Sequence, residues 1–139
     1  MRVIALDVGD RRIGVAASDP LGKTAQPLET LPHDDDIFDR LRKLAASLEA
    51  GLIVVGLPLL MDGSEGAQSA SVREFARELE ERLGLPLAFV DERLTTRQAE
   101  GMFSGEKMGR LERRSAADRV AAALILRTYL DSLPLDGGT

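Results

Sequence analysis

The sequence predicts a mixed α/β sheet with helices on its faces, and two observations predict it. Two short apolar runs open the chain in quick succession, with only two polar residues clearly between them. From residue 34 onward, segments with helical periodicity alternate with further apolar runs. An opening antiparallel meander followed by such alternation requires a sheet of mixed direction, with helices packed on it.

Residues 2–8 (RVIALDV) read as a buried strand bounded by Gly9-Asp10. Residues 12–18 (RIGVAAS) read as its hairpin partner, with Asp10 and Arg11 between them. A third strand is expected over 24–30, where Pro27 places it on an edge. Residues 34–49 are expected to be helical, with Ile37, Leu41, Leu44 and Leu48 on one face. Asp34-Asp35-Asp36 offers an N-cap, and Gly51 a stop. Residues 52–57 (LIVVGL) form the next strand, ending at Pro58, and a loop carries Met61-Asp62-Gly63. A second helix is expected over 66–83 with Gly84 as C-cap, then a strand over 86–91. A short helix follows from Thr95 to about Phe103, with a capping box from Thr95 to Gln98. Residues 104–114 (SGEKMGRLERR) read as a polar, basic and mobile stretch, and 115–131 as the last helix.

The chain has 139 residues, which fits one domain over 1–133 and a Gly-rich, disordered tail over 134–139. It has no Cys, which excludes disulfides, zinc–thiolate sites and Cys nucleophiles. Its single His excludes multi-His metal sites. His33, beside Pro32, has no evident partner and is expected to face solvent. No signal-peptide core or membrane-length apolar run is present, so a soluble, cytoplasmic protein with no membrane partner is expected. Gly22-Lys23-Thr24 imitates the end of a P-loop, but Ala17 stands at the first Gly position and Pro27 prevents the helix. Asp7-Val8-Gly9 before a hairpin also suits the phosphate loop of actin-like ATPases, which need two such domains.

The chemistry is expected at strand ends, where open α/β sheets place their ligands. Asp7 closes the first strand, and Glu92 follows the last one beside Asp91. Asp118 falls in the first turn of the expected final helix. Carboxylates from three elements suit hard cations such as Mg²⁺ or Mn²⁺, and such ions activate water against phosphodiesters. Each has a plainer alternative. Asp7-Val8-Gly9-Asp10 suits a turn, Asp91-Glu92 a solvated strand end, and Ser115-Ala116-Ala117-Asp118 a capping box.

Four segments in order resemble the YqgF/RuvX family, described as Holliday junction resolvase-like proteins and as nucleases of pre-16S rRNA. They are Leu6-Asp7-Val8-Gly9-Asp10-Arg11-Arg12-Ile13-Gly14-Val15-Ala16, Val55-Gly56-Leu57-Pro58 with Asp62-Gly63, Asp91-Glu92-Arg93-Leu94-Thr95-Thr96, and Asp118 within Ala116–Ala122. The resemblance spans residues 2–130. It implies an RNase H-like fold: a five-stranded mixed sheet, its first three strands antiparallel, flanked by helices. It also implies that Asp7, Glu92 and Asp118 form a metal-binding catalytic triad for Mg or Mn. Where some relatives carry Lys before the last helix, this chain has Arg113-Arg114-Ser115, which keeps the charge.

The formal net charge of −5 conceals an asymmetry. Residues 1–92 hold 10 basic and 17 acidic side chains, whereas 93–127 hold 8 and 4. Arg93, Lys107, Arg110, Arg113 and Arg114 lie between Glu92 and Asp118, and Arg11 and Arg12 follow Asp7. These are the expected nucleic-acid contacts, reading backbone and shape through phosphates. Only Phe103 interrupts the stretch with an aromatic ring, so base stacking is expected to be minor. The expected activity is therefore a metal-dependent endonuclease acting on structured nucleic acid, either the 5′ end of pre-16S rRNA or branched DNA. The alternative is a non-catalytic RNA-binding or ribosome-assembly factor. A homodimer is a candidate assembly, although no segment announces a dimer face.

Overall fold

The computed structural model describes residues 1–93 and 110–133. Five strands form one sheet: β1 (Arg2–Val8), β2 (Arg12–Ser18), β3 (Ala25–Pro32), β4 (Ala50–Leu57) and β5 (Leu87–Asp91). Among the described residues three helices accompany it: α1 (Ile37–Leu48), α2 (Ala67–Leu83) and α3 (Arg110–Asp131). The strand order is β3-β2-β1-β4-β5. The first three strands run antiparallel, while β4 is parallel to β1 and β5 to β4. The expected short helix over 95–103 and the tail over 134–139 lie outside the described residues.

Period-two alternation divides the apolar side chains of β1 between two cores. Ile4 and Leu6 join Ile37, Leu41, Phe75 and Leu79 from α1 and α2. Val3 and Ala5 join Ala122, Ile125 and Leu126 from α3. Asp7 continues the second series, so its side chain belongs on the α3 side of the sheet. The residues facing α3 are small, which lets that helix lie close to the sheet. β3 takes the edge that Pro27 requires, and a register shift beside Pro27 leaves Leu28 outside the ladder.

Several boundaries shift by one or two residues from the sequence reading, β3 and β4 among them, and three differences have a physical reason. α1 begins at Ile37 rather than 34, and the preceding Asp36 makes no side-chain cap. Asp34 instead accepts from the Asp36 N–H at 3.0 Å and from Arg40 at 2.6 Å, closing a turn before the helix. The helix ends at Glu49, in a left-handed conformation (φ 53°), so Gly51 is free to lie within β4. Non-glycine residues carry a steric cost in this conformation, of about 1 kcal/mol. Glu49→Gly is therefore expected to raise stability by about 0.5–1 kcal/mol, measured by urea unfolding with an unchanged slope.

The third difference concerns the site. α3 starts at Arg110, so residues 110–114 are helical rather than part of a mobile stretch. Ser115 lies inside the helix and Asp118 in its third turn, so the Ser115–Asp118 capping box does not form. Arg, Leu and Glu are strong helix formers, and Arg110-Leu111-Glu112-Arg113-Arg114 extends the helix ahead of the apparent cap. Asp118 is thereby released from a capping role.

Candidate active site

Three elements meet around Asp7. Asp7 is paired in register with Gly14 of β2. A Cβ on Gly14 would overlap the Asp118 carbonyl oxygen, so the absent side chain is what lets α3 lie on β2 at this point. The Asp118 backbone thus rests over the strand pair that carries Asp7. Glu92 comes from the other direction: its N–H donates to the Leu57 carbonyl at 3.1 Å, fixing it at the end of β4 and β5. A Cβ on Gly56 would stand 2.5 Å from Ile125 and 3.4 Å from the Glu92 carboxyl carbon. Gly14 and Gly56 are the functional positions that sequence reasoning passed over. Their signal was present, as glycines inside strand patterns mark close backbone approach.

Asp7 and Glu92 are hydrogen-bonded side chain to side chain. Burial raises the Asp7 carboxyl above its ordinary range, and the Asp118 charge adds to this, while the bond to Glu92 opposes it. Burial, the hydrogen bond to Asp7 and the repulsion of its charge push Glu92 from 4.5 up to about 9. Two half-buried carboxylates in contact both have raised affinity for a proton, and the pair holds one more readily than either group alone.

The native state therefore keeps a proton that the unfolded chain releases above pH 4.5. Stability from this group is complete below that pH and is lost as pH rises through about 9. Glu92→Gln is expected to flatten this decline, as measured by urea midpoints between pH 5 and pH 9.

Asp118 has a different partner. Arg12 Nε donates to Asp118 Oδ2 at 2.7 Å, with side-chain exposures of 36% and 22%. Among the described residues, no three His, Asp or Glu side chains form a ready metal-ligand group. The donor chemistry still suits a hard divalent cation: Asp7 and Glu92 supply adjoining oxygens, and a cation would take the place of the proton held there. Asp118 gives one of its two oxygens, Oδ2, to Arg12.

The basic residues fall into distinct settings. Arg11 is exposed in the β1–β2 turn. The Arg93 guanidinium is held by Asp91, at 2.6 Å to Oδ2, and by the Met61 carbonyl at 3.2 Å. The hydrogen bond from Arg93 keeps the Asp91 carboxyl below its ordinary range. Arg113 and Arg114 are exposed on α3, and Arg114 lies one turn before Asp118 on the same face. Lys107 and the side chain of Arg110 lie outside the described residues. His33 departs from expectation: it is half-buried, with Nδ1 2.6 Å from the Gly9 carbonyl and its ring edge-on to Phe75. It borders a cleft of about 310 Å³ with Phe38 and Phe75, reached from the α1–α2 side of the sheet. Asp10, Glu74 and Glu78 line that cleft, a poor setting for phosphate.

A sheet of this order, with carboxylates at the ends of β1 and β5 beneath a covering helix, defines a protein of the RNase H-like class. Thermus thermophilus RuvC in complex with Holliday junction substrate matches this fold with a TM-score of 0.56, at 16% identity over 95% of this chain and 97% of its own. The family model described as "RuvX: Holliday junction resolvase" matches residues 1–132, and the chain belongs to that family. A relative from Moorella thermoacetica, named "Putative pre-16S rRNA nuclease", is 47% identical over 99% of both chains. One of the same name from Listeria monocytogenes serotype 4b (strain CLIP80459) is 42% identical, covering 95% of this chain and 99% of its own.

Proposed function

We propose that this protein is a divalent-metal-dependent endonuclease of the cytoplasm that hydrolyses phosphodiester bonds in structured nucleic acid. The observation that carries the reading is the Asp7–Glu92 pair, two carboxylates from separate strands forced into one desolvated contact beside Asp118. Perturbed carboxylates cluster at functional sites, which supports a role for this pair. Asp7 and Glu92 would hold Mg²⁺ or Mn²⁺, with Asp118 completing the set. The ion, when bound, would lower the pKa of water and offset charge developing on the phosphate. The chain's own residues do the rest. Half-burial limits the solvation of the carboxylate pair, and Arg11, Arg113 and Arg114 stand exposed where a nucleic-acid backbone can meet them. Arg93, pinned by Asp91, would present its charge from a fixed position beside Glu92.

Family membership and the relatives' names support two substrates, pre-16S rRNA and a Holliday junction, and in the rRNA the 5′ end is the proposed place of cleavage. The test is purified protein with Mn²⁺ or Mg²⁺ on a precursor rRNA fragment and on a four-way DNA junction. Metal-dependent cleavage of at least one is expected, and cleavage of neither would remove the catalytic reading.

One observation favours a second reading, a non-catalytic RNA-binding or assembly factor. Asp118 is engaged by Arg12, and the described carboxylates do not stand as a three-ligand group. That reading predicts nucleic-acid binding that is indifferent to divalent cations.

A further inference from the structure

Arg12 occupies a place that phosphate binding alone does not explain. The tight turn between β1 and β2 fixes its backbone: the Gly9 N–H donates to the Arg12 carbonyl at 2.9 Å. A Cβ on Gly9 would approach that carbonyl to 2.7 Å, so only glycine closes the turn without displacement. Arg12 therefore starts β2 from a set position, two residues before Gly14. Its Nε reaches across to Asp118, 106 residues away in sequence, at 2.7 Å. The contact uses one donor. Among the described residues, the two terminal amino groups of Arg12 make no hydrogen bond and remain available to an anion.

From this juxtaposition we infer that Arg12 is the positioning residue of the acidic site, an internal counter-ion that aims the Asp118 carboxylate and is exchanged for a cation. The inference rests on the proposed metal-dependent function and names a control within it. Without Arg12, Asp118 would add an unbalanced charge beside the half-buried Asp7–Glu92 pair, whose Asp7 carboxyl the Asp118 charge already raises. With Arg12, the site folds with that charge compensated, and the carboxylate is oriented before a cation enters. The guanidinium also competes with the cation for Asp118 oxygens. Removing it strengthens the negative field on the cation while losing the orientation of the carboxylate, so affinity and turnover move in opposite directions. A purely structural ion pair would weaken both together.

The test is Mn²⁺ binding to the full chain without nucleic acid, read by the paramagnetic resonance signal of free Mn²⁺, for wild type, Arg12→Gln and Arg12→Lys. Cleavage rates and melting temperatures are measured alongside. Arg12→Gln is expected to bind Mn²⁺ about three-fold more tightly, the scale of a half-exposed ion pair. Its kcat is expected to fall by about 10-fold or more from misplacement of Asp118. Arg12→Lys, which keeps the charge, should lie between the two and recover part of kcat. If wild type binds Mn²⁺ and Arg12→Gln binds it equally or more weakly, the exchange is overturned while the metal site stands. An unchanged kcat in Arg12→Gln overturns the positioning role. If wild type binds no Mn²⁺, the metal-dependent reading falls, and this inference with it. Arg12→Lys decides the case in the same way if Arg12→Gln does not fold.

Discussion

Asp7→Asn is expected to lower cleavage by at least about 100-fold while leaving the metal-free protein as stable as wild type or more so at pH 8. Loss of groups that merely orient metal ligands costs about 10–100-fold, and Asp7 is placed as a ligand itself. The stability sign follows from the same burial. Asp7 is ionised against a desolvation cost and beside Asp118, so its carboxyl is raised. Asparagine has nearly the same shape and no charge, and its amide oxygen can still accept the Glu92 proton. Activity and melting temperature measured on one preparation check both halves. A parallel loss of both would mark Asp7 as a structural residue.

The second large effect belongs to a residue with no chemistry of its own. Gly14→Ala is expected to destabilise the fold by about 3 kcal/mol, the upper range for overpacking a close-packed site. The added methyl would overlap the Asp118 carbonyl oxygen, and that neighbour is helix backbone, which cannot step aside like a flexible side chain. For a chain of this size the melting temperature should fall by about 10 °C. Surviving protein should cleave poorly, because α3 must lift from β2 and carry Asp118 away from Asp7. Thermal unfolding and cleavage of the refolded variant measure the two effects. A melting temperature within about 1 °C of wild type would show that α3 is not seated on Gly14.

Much of this arrangement is written locally in the chain. Leu6-Asp7-Val8-Gly9-Asp10 states a strand end and a turn, and Pro27 states an edge, because both depend on backbone chemistry of single residues. Asp7 and Glu92 are legible for the same reason, as carboxylates directly at the ends of apolar runs. The helix carrying Asp118 was less legible. Ser115-x-x-Asp118 is a genuine capping pattern, and Arg110–Arg114 has no apolar periodicity, so no hydrophobic pattern extends the helix backward past Ser115. Its propensity does so, helped by contacts between distant elements, such as the Thr30 hydroxyl donating to the Ser115 carbonyl at 2.6 Å. The Arg12–Asp118 pair was hidden for a related reason. Arg12 reads as a phosphate contact until α3 is laid on β2, and only the glycine at position 14 hints that it will be.

On the proposed function, Asp7 and Glu92 form one protonated acidic pair that receives a divalent cation. Calorimetric titration of the protein with Mn²⁺ at pH 7.5, in two buffers of different ionisation enthalpy, tests it most directly. Binding is expected to release about one proton, since cations displace protons from their ligands and Glu92 retains its own up to about pH 9. The release should vanish in Glu92→Gln, and affinity should fall sharply in Asp7→Asn. Absence of binding, or binding without proton release that is indifferent to both substitutions, would contradict the account.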